Sequence, residues 1–125
     1  QVIRLLLVDD QPQVRRGLMM RLALEPDVVV VGEAGDAESA LELAGALHPD
    51  VIIMDVELPG MDGTDATRSL RHTLPQTAIV MLSLHDDNDT VARAKAAGAA
   101  HFVAKHRMEG PLLAAIRDAA TPIHG

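Results

Sequence analysis

Five short apolar runs, rich in β-branched residues, recur along the chain at residues 2–8, 28–31, 51–54, 78–82 and 101–104. They are near-continuous rather than alternating, which suits strands buried on both faces. Segments of helical period lie between them. Val14, Leu18 and Leu22 step by four after Pro12, a good first-turn residue. Ala37, Ala40, Leu41, Ala44 and Leu47 follow an i, i+3, i+4, i+7 pattern, with Asp36 placed to cap them. Ala66, Thr67, Leu70 and Leu74 form a third set, closed by Pro75. Residues 89–97 make a fourth, ended by Gly98. Leu112, Leu113, Ile116 and Ala120 make a fifth, opened by Glu109-Gly110-Pro111.

The order is strand then helix, five times. Each interval leaves room for a helical crossover, so the sheet is expected to be parallel and covered by helices on both faces. At 125 residues the chain is one domain's length, about half of what a closed eightfold barrel needs. An open, doubly wound α/β sheet remains. Such sheets place their sites at the carboxyl ends of the strands.

Composition narrows the function. There is no cysteine, which removes disulfides, thiolate metal sites and a Cys nucleophile. Net charge is -7, a poor balance for binding nucleic acid through this domain alone. Phe102 is the only aromatic residue, so stacking platforms are missing. No apolar run approaches the ~18 residues of a membrane span, and no signal segment opens the chain. A chain that begins at Gln1 is expected to be processed, or excised from something longer.

The strand ends carry the chemistry. Strand 1 ends in Asp9-Asp10, strand 2 in Glu33-Ala34-Gly35, strand 3 in Asp55, strand 4 in Ser83 and strand 5 in Lys105. Each has an ordinary structural explanation when taken singly. Asp9 or Asp10 is expected to cap the helix opened by Pro12, Ser83 to sit in a turn, and Lys105 to be a solvated surface charge. Asp55 differs, because it closes the most central-looking strand and needs a partner there.

Together they are more specific. Three carboxylates on one sheet edge cannot all stay ionised without a cation. His85, His101 and His106 lie beside strands 4 and 5, away from the acids. An oxygen-rich, incomplete cage favours Mg²⁺, which keeps its waters and meets phosphoryl oxygens. An ammonium and a hydroxyl nearby suit the remaining phosphoryl charge. Asp55 is the best placed nucleophile for such a group.

These residues resemble a known family. Asp9-Asp10, Asp55 within Asp55-Val56-Glu57-Leu58-Pro59-Gly60-Met61-Asp62-Gly63, Ser83, and Phe102 three before Lys105 are similar to the response-regulator receiver domain of two-component signalling. The resemblance covers essentially the whole chain, residues 1–125, as one receiver domain. It implies a flavodoxin-like (βα)5 fold with strand order 2-1-3-4-5, in a bacterial, cytoplasmic signalling protein. It implies phosphorylation of Asp55 by a histidine kinase or a small phosphodonor, and no enzymatic turnover beyond self-phosphorylation and self-dephosphorylation. Mg²⁺ would be bound by Asp10 and Asp55, by Asp9 through water, and by the backbone carbonyl of Glu57. Lys105 would contact the phosphoryl group. Ser83 and Phe102 would be paired switch residues, moving the helix 4–strand 5–helix 5 face toward an output domain or a second receiver.

Two departures stand out. His106 follows the lysine where the family often has Pro, a Pro that many members with a LuxR-type helix-turn-helix also lack. Segments 32–34 and 113–116 look similar to those members too. Glu57 stands where Asn or another neutral residue is common. Glu57 and His85, two residues after Asp55 and Ser83, flank the attacking water in this family and are expected to modulate phosphoryl lifetime. No second helical pattern follows residue 118, so a DNA-binding output domain is expected to lie outside this chain.

Three other classes compete. An aspartate-nucleophile phosphohydrolase is suggested by Ile52-Ile53-Met54-Asp55-Val56-Glu57, faintly similar to the haloacid-dehalogenase-like start, which carries Asp where Glu57 stands. A flavodoxin-like FMN carrier would want a Ser/Thr-Gly-rich loop after strand 1, which Asp9-Asp10-Gln11-Pro12 does not supply. A receiver-fold interaction module that takes no phosphate would keep the fold and lose the chemistry.

Overall fold

A computed structural model describes residues 2–121. It contains β1 (Ile3–Val8), α1 (Pro12–Leu22), β2 (Val28–Ala34), α2 (Ala37–Leu47), β3 (Val51–Asp55) and α3 (Gly63–Thr73). These are followed by β4 (Ala78–Ser83), α4 (Asn88–Ala97), β5 (His101–Ala104), a 3-10 turn (Lys105–Arg107) and α5 (Pro111–Ala120). All strand pairings are parallel, in the order β2-β1-β3-β4-β5. The expected doubly wound, flavodoxin-like sheet is present.

Side-chain alternation along buried parallel strands explains the continuous apolar runs. Leu6, Val8, Ile52, Met54, Ile79 and Met81 face one layer, against Ala37, Ala40 and Ala44 of α2, Ala66 and Leu70 of α3, and Ala94 of α4. Leu5, Leu7, Ile53, Val80 and Leu82 face the other, against Leu18 and Leu22 of α1 and Leu112 and Ile116 of α5. Two cores therefore clamp β1, β3 and β4. The edges differ from the expectation of burial on both faces. Val29 is exposed and Val30 and Val31 are half-buried, because β2 has a neighbour on one side alone. At the other edge only Val103 of β5 is fully buried.

Asp36 caps α2 as expected, its carboxylate accepting the Ser39 N–H at 2.7 Å. Asp62 and Asp87 do the same for α3 and α4, through the N–H groups of Thr64 and Thr90. Gly98, at φ 104°, closes α4 in the left-handed region. The expected cap on α1 is absent. Gln11 occupies that position without a side-chain bond, and Pro12 opens the helix. Asp9 instead accepts the Gln11 N–H at 2.9 Å, a tight local turn that turns its other oxygen inward.

The loop from β3 to α3 returns tightly over the strand end. The Gly63 N–H donates to the Val56 carbonyl at 2.9 Å. A Cβ added at Gly63 would run into the Asp55 carbonyl, so the backbone itself packs where a side chain would sit.

Candidate functional site

Four strand ends meet at one edge of the sheet. Asp9 and Asp55 are each 1% exposed, which is unusual for carboxylates. Asp10 stands exposed on the rim. One oxygen from each of the three acids lies within 4.8 Å of the others. Lys105 arrives from the end of β5, with its ammonium 3.1 Å from Asp55 Oδ2 and 2.8 Å from Asp9 Oδ2. Its side chain is 10% exposed, so it is not the solvated surface charge that its type alone suggests. Glu33, at the end of β2, is drawn out of the cluster by Arg15, at 2.8 Å.

The remaining valences are nearly filled. Asp55 Oδ1 accepts the Glu57 N–H at 3.1 Å. Asp9 Oδ1 takes the Gln11 N–H. Asp9 Oδ2 has close charge contact with Lys105 but no aligned hydrogen bond among the described residues, although it is buried. A buried carboxylate oxygen whose one partner is an ammonium shared with Asp55, beside two other acids, is a position for a cation. The donors are all oxygens, which fits a hard divalent ion such as Mg²⁺.

Electrostatics agree with an incompletely compensated cluster. Burial pushes the Asp55 carboxyl up to about 6, with the Asp9 charge adding to the rise and Lys105 opposing it. Burial alone would pull the Lys105 ammonium down, but its attraction to Asp9 and Asp55 outweighs this and holds it above its ordinary value. One ammonium serves both buried acids, with Asp10 nearby on the rim.

Ser83 closes β4 and is fully buried. Its hydroxyl donates to Glu57 Oε2 at 2.9 Å and accepts the His85 N–H at 2.9 Å. Part of its role is thus the expected turn. The Val56 N–H donates to the Leu82 carbonyl at 2.9 Å and ties the ends of β3 and β4 together. His85 is exposed. His106 approaches Asp86 at 3.6 Å, bridging the loops after β5 and β4. Phe102 lies on β5 opposite Met81, half-buried against the α2–α4 layer.

The sheet edge therefore assembles Asp9, Asp10, Asp55, Glu57, Ser83 and Lys105, and leaves His85, His106 and Phe102 around it. Three contacts were not legible in the sequence: the double engagement of Lys105, the bond from Ser83 to the Glu57 side chain, and the close approach of Gly63.

Comparison with known proteins matches residues 5–117 to the response regulator receiver domain. The chain belongs to that family. Among relatives of this receiver domain, the transcriptional regulatory protein LiaR of Bacillus subtilis is 40% identical over 95% of this chain and 56% of its own length. The nitrate/nitrite response regulator protein NarL of Escherichia coli is 36% identical over 93% and 54%. The chain spans about half the length of these curated relatives. The solved receiver domain of the putative response regulator NarL from Mycobacterium tuberculosis superposes with a TM-score of 0.91 at 37% identity, covering 96% of this chain and 97% of that one. A LuxR-family two-component response regulator from Aurantimonas gives the same TM-score at 34% identity, over 96% and 86%. The relatives are thus LuxR- and NarL-type response regulators, the subgroup suggested by the residues after Lys105. No helix among the described residues is long and apolar enough to cross a membrane.

Proposed function

We propose that this receiver domain accepts a phosphoryl group on Asp55 in a Mg²⁺-dependent reaction and passes the change to an output domain. The observation that carries this reading is the juxtaposition of buried Asp55 with Lys105 at 3.1 Å and with the neighbouring carboxylates of Asp9 and Asp10. In the reaction a carboxylate oxygen of Asp55 forms a bond to phosphorus. The donor's P–N bond in a phosphohistidine, or P–O bond in an acyl phosphate, breaks, and its electron pair leaves on the donor.

The chain's own groups prepare this step. Burial raises the Asp55 carboxyl toward neutrality, so its carboxylate is weakly solvated and pre-positioned rather than screened by water. The Glu57 N–H and the Lys105 ammonium hold its two oxygens in a fixed orientation. Lys105 would supply positive charge to the incoming phosphoryl oxygens, and the Ser83 hydroxyl would donate to another once free of Glu57. Asp9, Asp10, Asp55 and the backbone carbonyl of Glu57 would hold Mg²⁺. When bound, Mg²⁺ supplies the positive charge that lets carboxylate and phosphoryl oxygens share one small site.

The donor would be a partner histidine kinase or a small phosphodonor, in the cytoplasm. The output would be a DNA-binding domain outside these residues, reached through the α4–β5–α5 face, with a second receiver as the other candidate partner. The test is incubation with acetyl phosphate and Mg²⁺ followed by intact mass. Addition of one phosphoryl group to the wild type and none to Asp55→Asn supports the reading. No addition to the wild type under conditions that load a known receiver overturns it, leaving an interaction module.

A further inference from the structure

The Ser83 hydroxyl has one proton, and Glu57 holds it. Ser83 Oγ donates to the Glu57 carboxylate, 2.9 Å from Oε2 and 3.2 Å from Oε1, while its lone pair takes the His85 N–H. Ser83 is fully buried, so no bulk water competes for that proton. A hydroxyl cannot donate to two acceptors at once. A phosphoryl oxygen on Asp55 can gain the Ser83 proton only after Glu57 has released it.

We propose that the Glu57 side chain is a positioning residue that sequesters the Ser83 hydroxyl, and that phosphoryl transfer to Asp55 requires this carboxylate to swing away. The inference rests on the phosphoacceptor reading of Asp55. Glu57 is well placed for such a role. Its backbone N–H is anchored on Asp55 Oδ1 at 3.1 Å, so the residue cannot drift from the acceptor. Yet Glu57 as a whole is exposed, so its carboxylate can leave for water by side-chain rotation alone. Charge favours departure once the phosphoryl group arrives. Asp9 and Asp55 already share a single ammonium with Asp10 close by, and a phosphoryl group adds further negative charge beside them. Before that, the bond to a carboxylate is of the stronger, charge-assisted kind. Glu57 therefore sets a threshold: the hydroxyl is withheld in the resting site and surrendered in the loaded one.

Mere repulsion between Glu57 and the phosphoryl group would also slow the reaction, but it would not act through Ser83. A double-mutant cycle separates the two. Initial phosphorylation by acetyl phosphate with Mg²⁺ is measured for the wild type, Glu57→Ala, Glu57→Gln, Ser83→Ala and the two double variants. In each event the Asp55 oxygen–phosphorus bond forms, the acyl P–O bond breaks and acetate leaves with the electron pair. Glu57→Ala is expected to be about tenfold faster than wild type, with Glu57→Gln, which keeps a neutral acceptor, in between. In the Ser83→Ala background the same changes are expected to move the rate less than twofold. An equal gain in both backgrounds, or no gain in either, overturns the proposal. Failure of the wild type to take phosphate at all strikes the phosphoacceptor reading instead.

A second readout needs neither metal nor phosphate. In the metal-free protein, Glu57→Ala is expected to shift the amide resonance of His85, because it frees the Ser83 hydroxyl to which that N–H donates. Glu57 is exposed, so this variant is not at risk of unfolding. An unmoved resonance overturns the proposal whatever the kinetics show.

Discussion

Lys105 stands fifty residues beyond Asp55 in the chain and places its ammonium 3.1 Å from the Asp55 carboxylate. The same ammonium is 2.8 Å from Asp9. It is therefore the internal counterion of the site. Its removal leaves two buried acids facing each other. Lys105→Met is expected to lower stability by roughly 2–3 kcal/mol near neutral pH, and by less near pH 5, where a proton on Asp55 relieves the repulsion. Urea unfolding at the two pH values checks this. Equal losses at both would mean that the lysine does not act by relieving repulsion at Asp55. Lys105→Arg should not restore phosphorylation, since a planar fork cannot replace a point charge between two carboxylates.

The raised Asp55 carboxyl makes a pH prediction for the metal-free protein. Its folded value is about 6 against an ordinary 3.8, so between these the folded state holds a proton that the unfolded chain has lost. The stability that this proton confers is complete below the unfolded value and is lost as pH rises through 6. The loss is on the order of 2 kcal/mol. Melting in EDTA should fall between pH 4.5 and 7 for the wild type and stay nearly flat for Asp55→Asn. Millimolar Mg²⁺ should recover the loss by mass action, and Asp10→Ala should blunt that recovery. At more acid pH the sign reverses. Glu25, Asp27, Asp36 and Asp87 are held low by hydrogen bonds from Arg21, Arg117, Ser39 and Thr90, and protonating them favours unfolding.

Gly63 gives a purely steric prediction. A methyl group there meets the Asp55 carbonyl, and neither backbone segment has room to yield. Gly63→Ala should cost roughly 1–3 kcal/mol and slow phosphorylation by displacing the end of β3. Gly60, at φ 78° but with open space around it, is the control. Gly60→Ala should be destabilising through backbone strain yet leave the phosphorylation rate within twofold of wild type.

The α4–β5–α5 face should respond to phosphorylation. α4 buries only Thr90, Ala94 and Ala97, small residues that contribute little area per turn. Phe102 on the neighbouring strand is half-buried and packs against the same layer. Amide hydrogen exchange with Mg²⁺ and beryllofluoride should alter protection across residues 84–106. Unchanged protection there would remove α4 and Phe102 from the switch, and Phe102→Ala would then lower stability alone.

Much of this site was legible because it lies at strand ends, where local pattern and chemistry coincide. Asp9, Asp55, Ser83 and Lys105 each follow an apolar run, and the parallel topology brings those ends together. What local pattern does not encode is position across the sheet. β2 is as apolar in sequence as β3, yet Val29 is exposed, since edge and centre are decided by strand order. Side-chain partners were likewise hidden. Neither Glu57 with Ser83 nor Lys105 with Asp9 is near in sequence, and Asp9 as a helix cap was the more local explanation. It fails because its oxygens are used by Gln11 and Lys105.

Asp62 and Asp87, with Asp36, hold the helices that follow β3, β4 and β2, whereas Asp9 and Asp55 hold none. The aspartates that cap α2, α3 and α4 are thus not the aspartates of the acidic cluster. Substitutions within the cluster therefore leave the caps of α2, α3 and α4 in place, so a lineage that carries the proposed phosphoacceptor is free to drift toward a plain docking module without passing through an unfolded ancestor.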